Sequence, residues 1–159
     1  MKKALITVRD VVTAFDDNLV HDHVSCTVYE NEIYALLGGS GSGKSTLLRE
    51  MIMLERPRSG RIEVLGYDLA RLSYEEAQNL RGKWGVLFQS GALYSSLTVG
   101  ENIALLYHEY TRLPPKLVRE LVKLKIDLVG LPPHAVHLYP AQLSGGMVKR
   151  AALARALAL

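Results

Sequence analysis

Residues 38–45 read Gly38-Gly39-Ser40-Gly41-Ser42-Gly43-Lys44-Ser45 and fit the pattern G-x-x-x-x-G-K-[ST]. No other stretch constrains the fold as tightly, because the pattern joins an incoming strand to an outgoing helix through one tight loop. The apolar run Ile33-Tyr34-Ala35-Leu36-Leu37 reads as the buried strand, and Lys44–Leu54 reads as the helix. Glycines let successive backbone N–H groups turn inward around a phosphate, which bulky side chains would block. Lys44 is placed to reach β- and γ-phosphates, and the Ser45 hydroxyl to ligate Mg²⁺. Thr46, next in the first helical turn, completes the candidate set. The helix directs its partial positive end at the same anion. A flexible Gly/Ser linker has a similar composition, but linkers seldom lie unbroken between a buried strand and an amphipathic helix.

The rest of the composition narrows the ligand class. The formal charge of the 159-residue chain is only +3, and there is no arginine-rich run or aromatic-basic stripe. Phosphate affinity therefore points to a nucleotide and not to nucleic acid. Cys26 is the only cysteine, so neither a disulfide framework nor a zinc ligand set is expected, and it reads as a small buried hydrophobe. The N-terminal apolar stretch is broken at Arg9 and Asp10, which suits a strand over Ala4–Val8 better than a secretory signal. No apolar run approaches the roughly 18 residues that span a bilayer. A cytosolic chain that meets a membrane only through partners is expected.

Along the chain, strands are expected at Ala4–Val8, Val24–Tyr29, Ile33–Leu37, Arg61–Leu65 and Trp84–Phe88. Ser73 and Glu76 form a capping box for a short helix through Arg81. After Gln89 the pattern turns helical. Thr98 and Glu101 form a second capping box, and Pro114-Pro115 starts a helix with Leu117, Leu121, Leu124 and Leu128 on one face. Ser144 caps a last helix from Gly145 to about Leu157. A strand-rich first part followed by helices describes an α/β core carrying a helical subdomain.

Leu143-Ser144-Gly145-Gly146-Met147 is the second informative cluster. It sets a small hydroxyl residue and two glycines at a helix start, leaving N–H groups free for an anion. Alone, it reads equally well as a capped helix. Paired with Gly38–Ser45 it is more specific, and the chain resembles the nucleotide-binding subunit of an ABC transporter along essentially its whole length. The cluster matches that family's signature motif, and Gln89 after Phe88 matches its Q-loop. The resemblance implies a P-loop NTPase (RecA-like) α/β core with an N-terminal antiparallel β region and an inserted α-helical subdomain. Residues 1–89 would form the ATP-binding core, 90–143 the helical subdomain, and 144–159 a signature helix returning toward the core.

The same resemblance implies ATP and Mg²⁺ held between two subunits arranged head to tail. Ser144, Gly145 and Gly146 of one subunit would touch the γ-phosphate of ATP bound at Lys44 of the other. Gln89 would be the catalytic residue, contacting Mg²⁺ together with Ser45 and sensing the attacking water. Its loop would report the ATP state to a transmembrane permease beside the helical subdomain. The segment Leu87–Tyr94, with Met147 in the usual glutamine place, is similar to the lipid-transporting, Mla-type branch, whose systems carry MCE-domain lipid-binding proteins. The implied location is peripheral, on the cytoplasmic face of the inner membrane.

Several features depart from that pattern. No apolar strand ending in Asp-Glu follows Ser144, and no later switch histidine is found. The core is therefore expected to be incomplete, with C-terminal truncation, and hydrolysis by this chain alone is not expected. Asp127 after Ile126 reads as a structural part of the leucine-striped helix. A non-hydrolysing nucleotide-binding or dominant-negative fragment is the alternative function, and a soluble ABC protein of DNA repair or translation a further one. For the adenine-stacking ring, direct alignment reaches Thr13, with Phe15 two residues later; Phe15 either stacks on the base or is a strand-end hydrophobe. His21, His23, His134 and His137 propose no third metal ligand and read as surface or loop residues.

Overall fold

The computed structural model describes residues 2–159. The first two elements form one long hairpin, β1 (Ala4–Phe15) and β2 (Asn18–Tyr29), turning at Asp16-Asp17 with Asp16 at φ +52°. Asp tolerates this left-handed conformation better than most residues, which suits it to a two-residue turn. β1 runs past Val8, where the sequence suggested an end. Instead of breaking at Arg9-Asp10, the strand bulges there: Asp10 takes φ +48° and its N–H donates to Ser25 Oγ at 2.9 Å.

That bulge resets which side chains face inward. Before it the buried residue is Val8; after it they are Val11 and Thr13, a switch from even to odd positions. β2 makes the same switch at His23, which has φ +50°. Val24, Cys26 and Val28 are half-buried on one side of that residue, and His21 is fully buried on the other. Cys26 is thus only partly covered, not the buried hydrophobe expected. Burial pushes its thiol pKa up, opposed by a hydrogen bond with Tyr34.

β3 (Ser59–Val64) pairs antiparallel with β1, and the two-residue β4 (Tyr67–Asp68) pairs with β3, giving the order β2-β1-β3-β4. Val8, Val11, Ile62 and Val64 form the buried apolar side of this sheet. Helix α1 (Lys44–Met51) lies against β3 and buries Leu47, Glu50 and Met51, the i, i+3, i+4 set of one helical face. A short helix α2 (Tyr74–Arg81) opens on the expected capping box: Ser73 N–H donates to Glu76 Oε2 at 2.8 Å and Glu76 N–H to Ser73 Oγ at 3.2 Å.

Two expected strands are not strands. Ile33–Leu37 and Trp84–Phe88 run outside any ladder, with Ile33 fully exposed and Leu37, Leu87 and Phe88 substantially so. A strand exists only by hydrogen bonding to a neighbour, and among the described residues no segment pairs with either.

The backbone divides into two compact units, Met1–Gln78 and Asn79–Leu159. The second contains α3 (Val99–Tyr110), α4 (Pro115–Leu128) and α5 (Gly145–Ala156), with short 3₁₀ turns at Pro133–His137 and Pro140–Gln142. The Thr98–Glu101 capping box that opens α3 is formed in full. Its core gathers Val99, Ile103 and Tyr107 of α3, Val118, Val122 and Ile126 of α4, and Ala151 and Ala154 of α5. The inward stripe of α4 is therefore Val118-Val122-Ile126. Leu117, Leu124 and Leu128 face solvent, contrary to the leucine face expected, and Leu121 is half-buried at the margin. Both stripes have helical spacing; the β-branched residues are the ones in the core with α3 and α5.

Candidate functional site

Gly43 is the junction between the loop and α1. It lies in the left-handed region, φ +83° and ψ −1°, and is the N-cap of the helix. A Cβ at this position would stand 2.5 Å from His21 Nε2 and 2.9 Å from Val20 Cγ1, so conformation and contact both demand glycine. A glycine N-cap also offers no side-chain oxygen to the first-turn amides of α1. The first turn contains no acidic residue, so the positive helix end is not neutralised locally. The Gly43 carbonyl accepts from Leu47 N–H at 2.9 Å and so opens the helix.

Lys44 folds back across the loop. Its ammonium donates to the carbonyl oxygens of Gly38 at 2.8 Å and Gly39 at 2.5 Å, and to Ser42 Oγ at 3.1 Å. Ser40 lies in the exposed turn beyond these carbonyls. A cavity of about 290 Å³ is lined by Phe15, Val20, Gly41, Ser42, Gly43, Lys44, Ser45 and Thr46. It sits at the small end of the usual range for small-molecule sites, roughly 300 Å³ upward. Its lining supplies backbone amides, one ammonium and several hydroxyls, with no carboxylate. That donor set fits an anionic, phosphate-bearing group.

The hairpin supplies the other wall. Phe15, the last residue of β1, is about half exposed and lines the cavity. Thr13 is buried, and its hydroxyl donates to Glu50 Oε1 at 2.5 Å, so it has no free face for a base. Of the two positions open in the sequence, only Phe15 shares the cavity with the loop.

His21 is not a surface residue. It is 4% exposed, with Nδ1 2.9 Å from Thr13 Oγ1 and 3.4 Å from Glu50 Oε2, and Nε2 3.0 Å from the Gly43 carbonyl. The sequence reading missed it because the expected strand began at Val24, whereas β2 starts at Asn18 and carries His21 inward beyond the bulge at His23.

The remaining candidates belong to the second unit. Gln89 is exposed in a turn that Gly91 N–H closes on the Phe88 carbonyl at 2.9 Å. Arg155 of α5 holds the following segment, donating through Nη1 to the Ala92 carbonyl at 2.7 Å and through Nη2 to that of Gly91 at 2.9 Å. Burial lowers the Arg155 pKa, partly offset by Tyr94. Asn102, fully buried in α3, fixes the next stretch. Its amide donates to the carbonyls of Tyr94, Leu97 and Thr98 and accepts from Tyr94 N–H. Neither residue was singled out by sequence, although an Asn in the middle of an apolar helical stripe was a signal.

Ser144 caps α5 as expected, its Oγ accepting from Met147 N–H at 3.3 Å. Gly145 and Gly146 are exposed, and a Cβ on either would meet nothing within 4 Å. Packing within this chain therefore does not account for the two glycines.

The glycine-capped helix, the folded-back lysine and the adjoining cavity, carried on this α/β framework, define a protein of the P-loop NTPase class. The profile of the ABC transporter family matches residues 21–159. The intermembrane phospholipid transport system ATP-binding protein MlaF of Haemophilus influenzae is 41% identical over all of this chain and 60% of its own length. The probable ribonucleotide transport ATP-binding protein mkl of Mycobacterium bovis is 39% identical over 97% of this chain and 43% of its own. Among solved structures, the dimeric bacterial ABC transporter cassette MJ0796 superposes with a TM-score of 0.90 at 28% identity, covering 97% of this chain and 69% of that one. The same cassette as a post-hydrolysis dimer bound to ADP and Pi gives 0.89 at 27% identity. The chain belongs to the ABC transporter family, and it spans 43 to 60% of the length of these curated relatives. Among the described residues no helix is long and apolar enough to cross a membrane.

Proposed function

We propose that this chain is the ATP-binding part of an ABC transporter that moves phospholipid. The observation that carries the reading is the cavity shared by Phe15 and the Gly41–Thr46 segment beside a glycine-capped helix. Backbone groups of Gly38–Ser45 would cradle the phosphates, with Lys44 exchanging its carbonyl partners for β- and γ-oxygens. Ser45 and Gln89 would hold Mg²⁺, Thr46 would support the first helical turn, and Phe15 would stack on adenine. Bound Mg²⁺ would neutralise charge developing on the phosphates.

Ser144, Gly145 and Gly146 would contact the γ-phosphate of ATP held by a second ATP-binding subunit, which explains glycines that nothing within this chain requires. Contacts made only in the closed dimer give ATP a differential affinity for that state. Closing and reopening would then drive a transmembrane permease, with lipid delivered to or taken from an MCE-domain protein. Residues 1–89 serve as the ATP-binding core, 90–143 as the helical subdomain facing the permease, and 144–159 as the signature helix. The protein would lie on the cytoplasmic face of the inner membrane. The phospholipid assignment is supported by the 41% identity to MlaF.

The test is titration of the chain with a fluorescent ATP analogue and Mg²⁺. Lys44→Ala should weaken binding roughly tenfold to a hundredfold, the worth of charge-assisted hydrogen bonds to phosphate. Equal affinity in wild type and Lys44→Ala would overturn the nucleotide site.

A further inference from the structure

Gly43, the residue on which the loop turns into α1, is held from below by a buried polar relay that the proposed mechanism does not use. Thr13 on β1 and His21 on β2 are direct cross-strand partners, so both side chains reach the same side of the hairpin. There they meet Glu50 of α1, which is 1% exposed and lies about two helical turns beyond Gly43 on the same face. The Thr13 hydroxyl donates to Glu50 Oε1, while Glu50 Oε2 has no hydrogen-bond partner and lies 3.4 Å from His21 Nδ1. Three polar side chains buried under an otherwise apolar sheet are costly unless they are mutually satisfied. Their common output is one atom, the carbonyl oxygen of Gly43, 3.0 Å from His21 Nε2.

A carbonyl can only accept, so Nε2 carries a proton and donates it. Gly43 O therefore receives two hydrogen bonds, from His21 and from Leu47 N–H. The peptide joining Gly43 to Lys44 is planar and trans, so its N–H points opposite to its C=O. Fixing the oxygen on His21 fixes the Lys44 N–H on the other edge, and with it the start of α1. Resting on the phosphate-loop reading above, we propose that His21 is a positioning residue: through Thr13 and Glu50 it holds the Gly43–Lys44 peptide plane in the orientation that presents the loop amides to phosphate.

Two substitutions separate this role from packing. His21→Gln carries its amide near the Nε2 position and keeps the donor to Gly43. His21→Asn keeps a polar group facing Thr13 and Glu50 but reaches no further. Amide hydrogen exchange without nucleotide reports the loop directly. Exchange at Leu47, whose N–H donates to the Gly43 carbonyl, should accelerate by about tenfold in His21→Asn, the worth of one hydrogen bond, and stay within about threefold of wild type in His21→Gln. Exchange in the β1–β3 ladder should be the same in both variants. The dissociation constant for the ATP analogue should follow the same order, rising about tenfold in His21→Asn only. Identical behaviour of the Asn and Gln variants in exchange would overturn the proposal, whether both match wild type or both are loosened. If wild type binds no nucleotide, the phosphate-site reading fails, while the exchange comparison still decides what His21 does to the loop.

Discussion

Gly43 and Gly41 share a left-handed backbone, φ +83° and +80°, but only Gly43 is also in contact with a neighbouring element. An alanine at Gly41 would meet no heavy atom within 4 Å, whereas one at Gly43 would press on His21 and Val20. Gly41→Ala should therefore cost only the backbone penalty, about 1–2 kcal/mol. Gly43→Ala should cost more, by about a further 1 kcal/mol or above, because the ring of His21 must move and release its hydrogen bonds. Urea unfolding of the two variants checks this, and equal destabilisation would show that the contact with His21 carries no weight. The motif was legible from spacing alone, since four fixed residue types define it. Which of its glycines is wedged against the sheet depended on His21, a residue that sequence placed on the surface.

Among the elements, the helices followed their local signals most closely. Capping boxes at Ser73 and Thr98, Pro115 at the start of α4 and Ser144 before α5 all mark the observed starts, because caps are made by residues three positions apart. Facing was harder. In α4 two stripes share the helical period, and the tertiary contacts chose Val118, Val122 and Ile126. Ile126→Ala should then cost about 2–5 kcal/mol, whereas Leu124→Ala, at a site 58% exposed, should stay within about 0.5 kcal/mol. Helical circular dichroism in urea measures both, and the reverse order would restore the leucine face. The hairpin misled for a related reason. A bulge adds one residue to a period-2 pattern, so Asp10 and His23 each reverse what lies beyond them.

Across the whole molecule, each of the two units carries its own buried residues, and the apolar segments outside any ladder are the exceptions. Ile33 and Leu37 are exposed on unpaired backbone, where proteases bind readily. Brief thermolysin digestion should cut first within residues 30–38, as read by mass spectrometry of the fragments. First cuts inside α3 or α4 would contradict the exposure seen here. An apolar run announces burial but does not name a partner, so Ile33–Leu37 and Trp84–Phe88 read as strands although neither is in a ladder. The sequence by itself determined the loop motif, the helix starts and the family, because these depend on residue types at short, fixed spacing. Only the tertiary structure decided that Phe15 shares the cavity with the loop, that Thr13, His21 and Glu50 meet beneath Gly43, and which stripe of α4 is inside. Those outcomes depend on strand register and helix packing, which join residues far apart in the chain and shift with a single bulged position.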